Sequence, residues 1–166
     1  LAASALVGSK ATSVGGKVSD LALNTVLIAG TANLANLLDL RPGRALKATV
    51  LVATPLSYFS CAAAKPEASA SGASAQRLLA SGLNAAAITA LVEDLQETTM
   101  LGDTGANASG ALLGTSLASN DSWKLRLGTA LGVVGLILAS EKVSFSKVIA
   151  ANPALNWLDQ LWRRPL

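Results

Sequence analysis

The feature of this sequence that most restricts its fold is the apolar segment at residues 21–40. Its ~20 residues match the length that a helix needs to cross a bilayer. Three polar side chains interrupt it at three-residue intervals, Asn33, Asn36 and Asp39. Because helical residues three apart lie on the same side, they form one polar stripe on an apolar helix. An ionisable group at membrane depth is a candidate for function, whereas the asparagines have the alternative role of hydrogen bonding between helices.

The composition favours a membrane protein with several spans. Hydrophobic residues make up 51% of the chain, charged residues only 14%, and mean hydropathy is +0.48. The usual charged share is ~25%. The chain has no histidine, which excludes histidine metal ligands and general bases, and its single cysteine, Cys61, excludes an intrachain disulfide. We find no basic patch interleaved with aromatic residues, so nucleic-acid binding is not expected.

The expected fold class is all-α, a polytopic membrane helical bundle with about five transmembrane segments and a C-terminal amphipathic helix. The predicted spans are residues 21–40, 45–64, 78–92, 108–118 and 125–140. Gly- and Ser-rich composition predicts loops at residues 9–19 and 65–76. Gly110 and Gly114 form a Gly-x-x-x-Gly pattern, which permits close helix contact. Residues 1–8 resemble the end of a preceding helix, so we expect the sequence to begin within a longer protein.

Two regions are expected, a transmembrane region at 1–140 and an interfacial tail at 141–166. In the tail, Trp157, Leu158, Leu161 and Trp162 recur at helical spacing among charged residues. This pattern predicts an amphipathic helix on the membrane surface, with its tryptophans at headgroup depth. A tail docked on the protein is the alternative.

Alternating spans would place three segments on one side of the membrane: the Arg41 turn, residues 93–103 and the tail. Charge does not fix which side this is, because seven basic residues fall there and six on the other side. The seven are Arg41, Arg44, Lys47, Lys142, Lys147, Arg163 and Arg164.

Asp39 and Asp103 are the main candidates for chemistry, because alternation brings them to the same face. Two carboxylates with asparagine neighbours offer the oxygen ligands that Mg²⁺ prefers. A helix beginning near Thr104 would direct backbone amides at an anion, and Gly102 and Gly105 would let the backbone approach a ligand closely.

Basic residues beside Asp39 could complete such a site, since Arg41 and Arg44 can hold phosphate oxygens as bidentate donors. More ordinary roles stay open for these residues. Arg41, Arg44 and Lys47 could be surface anchors, and Asp103 could be a helix N-cap.

Two motifs resemble those of a known family. Asn33-x-x-Asn36-x-x-Asp39 followed by Gly43 resembles the Asn-x-x-Asn-x-x-Asp-Gly-x-Asp-Gly motif of the polyprenyl-phosphate N-acetylhexosamine-1-phosphate transferases, the superfamily that includes phospho-N-acetylmuramoyl-pentapeptide transferase. The segment from Met100 to Gly114 resembles the family's Met-Gly-Asp-x-Gly-Ser-x-x-x-Gly segment. The resemblance covers roughly residues 20–140, the C-terminal half of such an enzyme, and residues 39–47 resemble a divergent branch of the superfamily.

The resemblance implies an Mg²⁺-dependent enzyme of the bacterial cytoplasmic membrane, with the motif face in the cytoplasm. It would move a sugar-1-phosphate from a UDP-sugar to a polyprenyl phosphate in cell-envelope synthesis, releasing UMP. Asp39 and Asp103 would be the catalytic and metal-binding residues. The residues expected at the substrates are Asn33, Asn36, Arg41, Arg44, Lys47, Gly105 and Asn107.

Three departures from the family keep other functions open. Pro42 stands where the family has its second aspartate, the histidine-rich motif has no counterpart, and the family's adjacent aspartate pair belongs to an N-terminal half that this sequence does not contain. The alternative is a degenerate member that binds a polyprenyl phosphate or a membrane-protein partner without turnover. A purely structural membrane subunit is a further alternative, and Gly110 and Gly114 leave a homodimer open.

Overall fold

The computed structural model describes residues 4, 7–9, 11–59 and 70–163, with the backbone alone at residues 59 and 70–74. All regular structure in these residues is helical, in agreement with the expected fold class. The helices, in chain order, are α1 (Val14–Leu38), α2 (Arg44–Phe59), α3 (Ala70–Leu95), α4 (Gly102–Ala118), α5 (Trp123–Lys142), α6 (Phe145–Ala151) and α7 (Pro153–Gln160).

Helices α1 and α3 begin inside segments that we predicted to be loops. Helix α1 begins at Val14 because Ser13 is its N-cap, and the Ser13 hydroxyl accepts a hydrogen bond of 3.1 Å from the backbone N–H of Gly16. The described part of α3 begins at Ala70, so residues 70–76 are helical despite their Ser and Gly content. The loop predictions at 9–19 and 65–76 are therefore wrong in their second halves. Cys61 lies outside the described residues.

Helices α1 to α5 form a bundle in which consecutive helices run in opposite directions. Helix α1 packs against α4 and α5, α2 packs against α3, and α3 packs against α4. The connections at residues 39–43 and 96–101 lie at the same end, as do α6 and α7. We call this the loop end. The start of α1 and the start of α5 meet at the opposite end.

The tightest helix contact is between α1 and α4. A Cβ built on Gly110 or Gly114 would lie within 3 Å of the α1 backbone, at Ala32 and Ile28 respectively. The Thr31 hydroxyl donates a 2.7 Å hydrogen bond to the Gly110 carbonyl. The Gly110 and Gly114 face is thus covered by α1 of the same chain.

Within the described residues, three helices are long and apolar enough to cross a membrane: Val14–Leu38, Ala75–Leu95 and Trp123–Lys142. The protein is consistent with a helical membrane protein, but with fewer spans than the five predicted. Helices α2 and α4 have 16 and 17 residues. At 1.5 Å per residue they extend only ~25 Å, short of a ~30 Å hydrocarbon core. Residues 60–64 of the second predicted span lie outside the described part of the chain.

Candidate functional site

Asp39 lies at the loop end as the C-cap of α1, half-buried between the two connections. Burial raises the pKa of its carboxyl above the usual value. The nearby Asp94 carboxylate raises that pKa further, a hydrogen bond from the Gly102 backbone N–H lowers it, and the Asp103 carboxylate raises it again. Three carboxylates from different parts of the chain therefore share one small region of negative charge.

Asp103 lies in the first turn of α4, directly after Gly102, which has a positive φ of 65°. It is not an N-cap, since Leu101 holds that position and makes no side-chain capping bond. The Asp103 side chain is exposed, and its backbone carbonyl accepts a 2.8 Å hydrogen bond from the Asn107 side-chain amide. A carboxylate in a first turn is stabilised by the helix dipole and is free to face a ligand.

The antiparallel packing of α1 and α4 aligns the remaining polar residues. Gly110 lies against Ala32 and Gly114 against Ile28. Continuing this register by one turn brings the buried Ala106 level with Asn36, while Asn107 beside it is exposed. Asn36 is half-buried and Asn33 is exposed on the same helix. Gly105 packs on Leu101, where it keeps the first turn of α4 close to the connection before it.

Asp94 is the residue of this region that the sequence argument missed. It is 5% exposed, and its carboxylate accepts a 2.6 Å hydrogen bond from the Gly43 N–H and a 3.0 Å bond from the Leu101 N–H. It thus ties both connections of the loop end to α3. A signal was present, because the buried residues of α3 continue at helical spacing into Asp94: Gln76, Ala80, Leu83, Ala87 and Asp94.

The basic residues after Asp39 turn toward the C-terminal tail. Arg44 is buried and donates to Asp159 through Nε (2.7 Å) and Nη2 (3.1 Å). Lys47 is also buried, and its Nζ donates to the carbonyls of Leu158 (3.1 Å) and Asp159 (2.8 Å). Arg41 lies 3.8 Å from the Asp159 carboxylate with 45% of its side chain exposed. Arg44 and Lys47 are therefore not surface anchors.

The Asp159 carboxyl is held in its charged form by these contacts. The Arg44 hydrogen bond lowers the pKa of Asp159 below its usual value, against the opposing effect of burial. The charges of Arg44, Arg163 and Arg41 lower that pKa further. In the tail, α6 and α7 meet at Asn152, which caps α7 by accepting from the N–H groups of Ala154 and Leu155.

The donors at the loop end fit a hard divalent cation that is shared with a substrate. Within the described residues, no group of three or more Asp, Glu, Cys or His side chains is arranged to hold a metal ion by itself. Mg²⁺ characteristically uses only one or two carboxylates, completed by water and substrate phosphates. Asp39 and Asp103 supply that number, and the mutual repulsion that raises the Asp39 pKa is relieved by a bound cation.

A second polar cluster lies at the opposite end of the bundle. Buried Arg126 on α5 donates to Asp20 (2.6 Å) and to the Asn24 side chain (2.9 Å) on α1. Ser9 donates a 2.8 Å hydrogen bond to the other oxygen of Asp20. A buried arginine with paired partners joins the starts of α1 and α5, a packing role.

No protein-family model, curated protein or solved structure matches this chain.

Proposed function

We propose that the chain belongs to a membrane transferase that moves a sugar-1-phosphate from a UDP-sugar to a polyprenyl phosphate in bacterial cell-envelope synthesis. The observation that supports this is the hydrogen bond from the Gly102 backbone N–H to the Asp39 carboxylate, which joins the end of α1 to the residue directly before Asp103. In the reaction, a polyprenyl phosphate oxygen bonds to the β-phosphorus, the bond from that phosphorus to the bridging oxygen breaks, and UMP leaves.

Asp39 and Asp103 would hold Mg²⁺, which when bound would neutralise charge on the diphosphate. Asn36 and Asn107 lie about one helical turn from Asp39 and Asp103 respectively and would position the nucleotide by hydrogen bonding. Of Arg41, Arg44 and Lys47, Arg41 has the exposed side chain, so it is the one of the three available to a phosphate while the tail is docked. Asp94 positions both connections and has no part in the chemistry.

A second candidate function is that of a superfamily member that binds polyprenyl phosphate without turnover. Two observations favour it. Pro42 stands in the loop where the resemblance implies a second aspartate, and Arg44 and Lys47 are already engaged by the tail. Such a protein would keep the affinity for a lipid phosphate and lack the reaction.

The test uses the full-length membrane protein with Mg²⁺, undecaprenyl phosphate and a panel of UDP-sugars, and it measures UMP release. Release that is lost in Asp103→Asn and kept in the matched variant Asp121→Asn supports the transferase. Asp121 is an exposed aspartate in the turn before α5, at the opposite end of the bundle. No release with any donor, together with retained binding of undecaprenyl phosphate, supports the second function and contradicts the first.

A further inference from the structure

The tail is joined to the bundle mainly through a charge. Helix α6 has no buried residue, and Asp159 is the single buried residue of α7 within the described part of the tail. The larger apolar side chains of both helices stay exposed: Val148 by 43%, Leu155 by 42% and Trp157 by 66%. An apolar core between tail and bundle is therefore missing from these residues, and the Asp159 contacts take its place.

The packing beneath the tail is also incomplete. A cavity of about 190 Å³ lies between the tail and α2, lined mainly by apolar side chains such as Leu51, Ile149 and Leu158, with Arg44 and Asp159 at its edge. Atoms that line a gap lose the dispersion contacts that close packing provides. The tail is thus held over a partly open interface by polar contacts: the Asp159 pairings, a 2.9 Å hydrogen bond from Arg44 to the Ser146 hydroxyl, and the Arg163–Glu97 pair at 4.0 Å.

The contact at Asp159 is an anion site, and its carboxylate carries less negative charge than the surrounding basic side chains carry positive charge. Arg41, Arg44 and Lys47 converge on the end of α7, and Asp159 offers them one carboxylate. Arg163 also lies near Asp159 and pairs with Glu97 at 4.0 Å, so the other three cations face one carboxylate and leave an excess of positive charge. A phosphate monoester or diphosphate carries more negative charge than a carboxylate and presents more oxygens to the Arg44 fork.

We propose that Asp159 occupies a phosphate site formed by Arg41, Arg44 and Lys47, and that a phosphate-bearing ligand displaces the tail from it. The tail is then an autoinhibitory latch on the basic side of the site. This inference rests on the proposed function only in assigning those residues to a phosphate ligand. The phosphate can come from a lipid headgroup or from a soluble diphosphate, and the experiment separates the two.

The experiment measures the position of the tail as the distance between two spin labels, by double electron–electron resonance. The protein is in phosphatidylcholine nanodiscs without divalent metal. Cys61 is replaced by serine, and labels are placed at the exposed positions Val92 on α3 and Ala151 at the end of α6. The expected result is one narrow distance distribution that becomes broad and longer with a phosphate ligand. Inorganic pyrophosphate tests the soluble source, and nanodiscs that contain phosphatidic acid test the lipid source. No change with either probe overturns the proposal.

Variants separate competition from a merely structural role. Asp159→Asn should free the tail without ligand and tighten pyrophosphate binding about tenfold or more, because a competitor that fills at least about 90% of the sites is removed. Asp159→Glu keeps the carboxylate and should bind pyrophosphate as weakly as the parent.

Arg44→Gln should free the tail and abolish binding. Pyrophosphate binding to Asp159→Asn that is unchanged or weaker contradicts the latch, and helix content by circular dichroism checks that each variant is folded.

Experiments can disprove the latch and the proposed function independently of each other. Asp103→Asn removes a proposed metal ligand and should leave the response of the tail to phosphate unchanged. A protein that never releases UMP but still frees its tail with phosphate has the latch without the reaction. A protein that releases UMP while its tail does not respond to phosphate has the reaction without the latch.

Discussion

The Asp94 carboxylate accepts a 2.6 Å hydrogen bond from the backbone N–H of Gly43, 51 positions earlier in the chain. Gly43 has a positive φ of 75°, and a Cβ there would lie 2.5 Å from the Leu95 side chain. The turn after Asp39 is therefore fixed by the Asp94 carboxylate and by the absence of a side chain at Gly43.

Asp94→Asn should loosen both connections at the loop end. An asparagine side chain has one acceptor oxygen, so one of the N–H groups of Gly43 and Leu101 loses its partner. We expect a cost of about 2–4 kcal/mol in the free energy of unfolding, because buried bonds to a charged group are lost. Hydrogen exchange should accelerate at residues 39–47 and 96–103. The exposed neighbour Glu93 provides the control, and Glu93→Gln should leave the exchange unchanged. Equal protection in both variants would show that Asp94 does not fix the connections.

Asp39→Asn should stabilise the protein at neutral pH when divalent cations are chelated. Burial and neighbouring carboxylates raise the pKa of Asp39 in the folded state above its usual 3.8, so the folded protein binds this proton more tightly than the unfolded chain does. The charged form therefore lowers stability above the raised pKa, and the penalty disappears as the pH falls toward the usual value. We expect a gain of less than about 1 kcal/mol at pH 7, since solvent screens these partly exposed groups.

Thermal unfolding at pH 7 and near pH 4 checks this expectation, with the exposed Glu141→Gln as the control. A gain that is the same at both pH values would rule out carboxylate repulsion as its cause.

Gly110→Ala should separate α1 from α4. The new methyl group would meet the α1 backbone at Thr31 and Ala32, which cannot yield as a flexible side chain can. Overpacking of this kind costs about 1–3 kcal/mol. Gly128→Ala on α5 is the matched control, since nothing lies within 4 Å of its added Cβ and alanine favours a helix. Thermal unfolding in detergent should show a loss for the first variant alone, and equal midpoints would contradict the close contact.

Arg126→Gln should cost about 3–5 kcal/mol, because it leaves the Asp20 carboxylate buried without its arginine. The double variant Arg126→Gln with Asp20→Asn should recover part of this loss by removing the buried negative charge. The exposed Lys124→Gln serves as the control for loss of positive charge in the same turn. If the double variant is as unstable as the sum of its parts, the two groups do not act as a pair.

Apolar segment length and alternation were sufficient to predict a helical membrane bundle and to bring Asp39 and Asp103 to one end. Helix starts were less predictable, because the Ser13 cap and the alanines near residue 70 look like loop composition when read without their packing. The described residues contain fewer candidate spans than the five predicted, since apolar runs such as α4 do not reach spanning length as helices.

Long-range pairings left almost no local signal. Arg44 and Asp159 are 115 positions apart, and nothing around Asp159 distinguishes it from a surface aspartate of an amphipathic helix. Asp94 was more accessible to prediction, because it continues the buried stripe of α3. The basic turn was therefore assigned to a phosphate or to a surface anchor, whereas the structure adds a tail carboxylate as its present partner.

The most direct test of the account is Mn²⁺ binding, measured by electron paramagnetic resonance, in the parent protein and in the variants Asp39→Asn, Asp103→Asn and the two combined. If both carboxylates hold one cation, each single variant should lose most of the affinity, and the double variant should be scarcely weaker than either. Parental affinity in either single variant, or losses that simply add in the double variant, would contradict a shared cation site at the loop end.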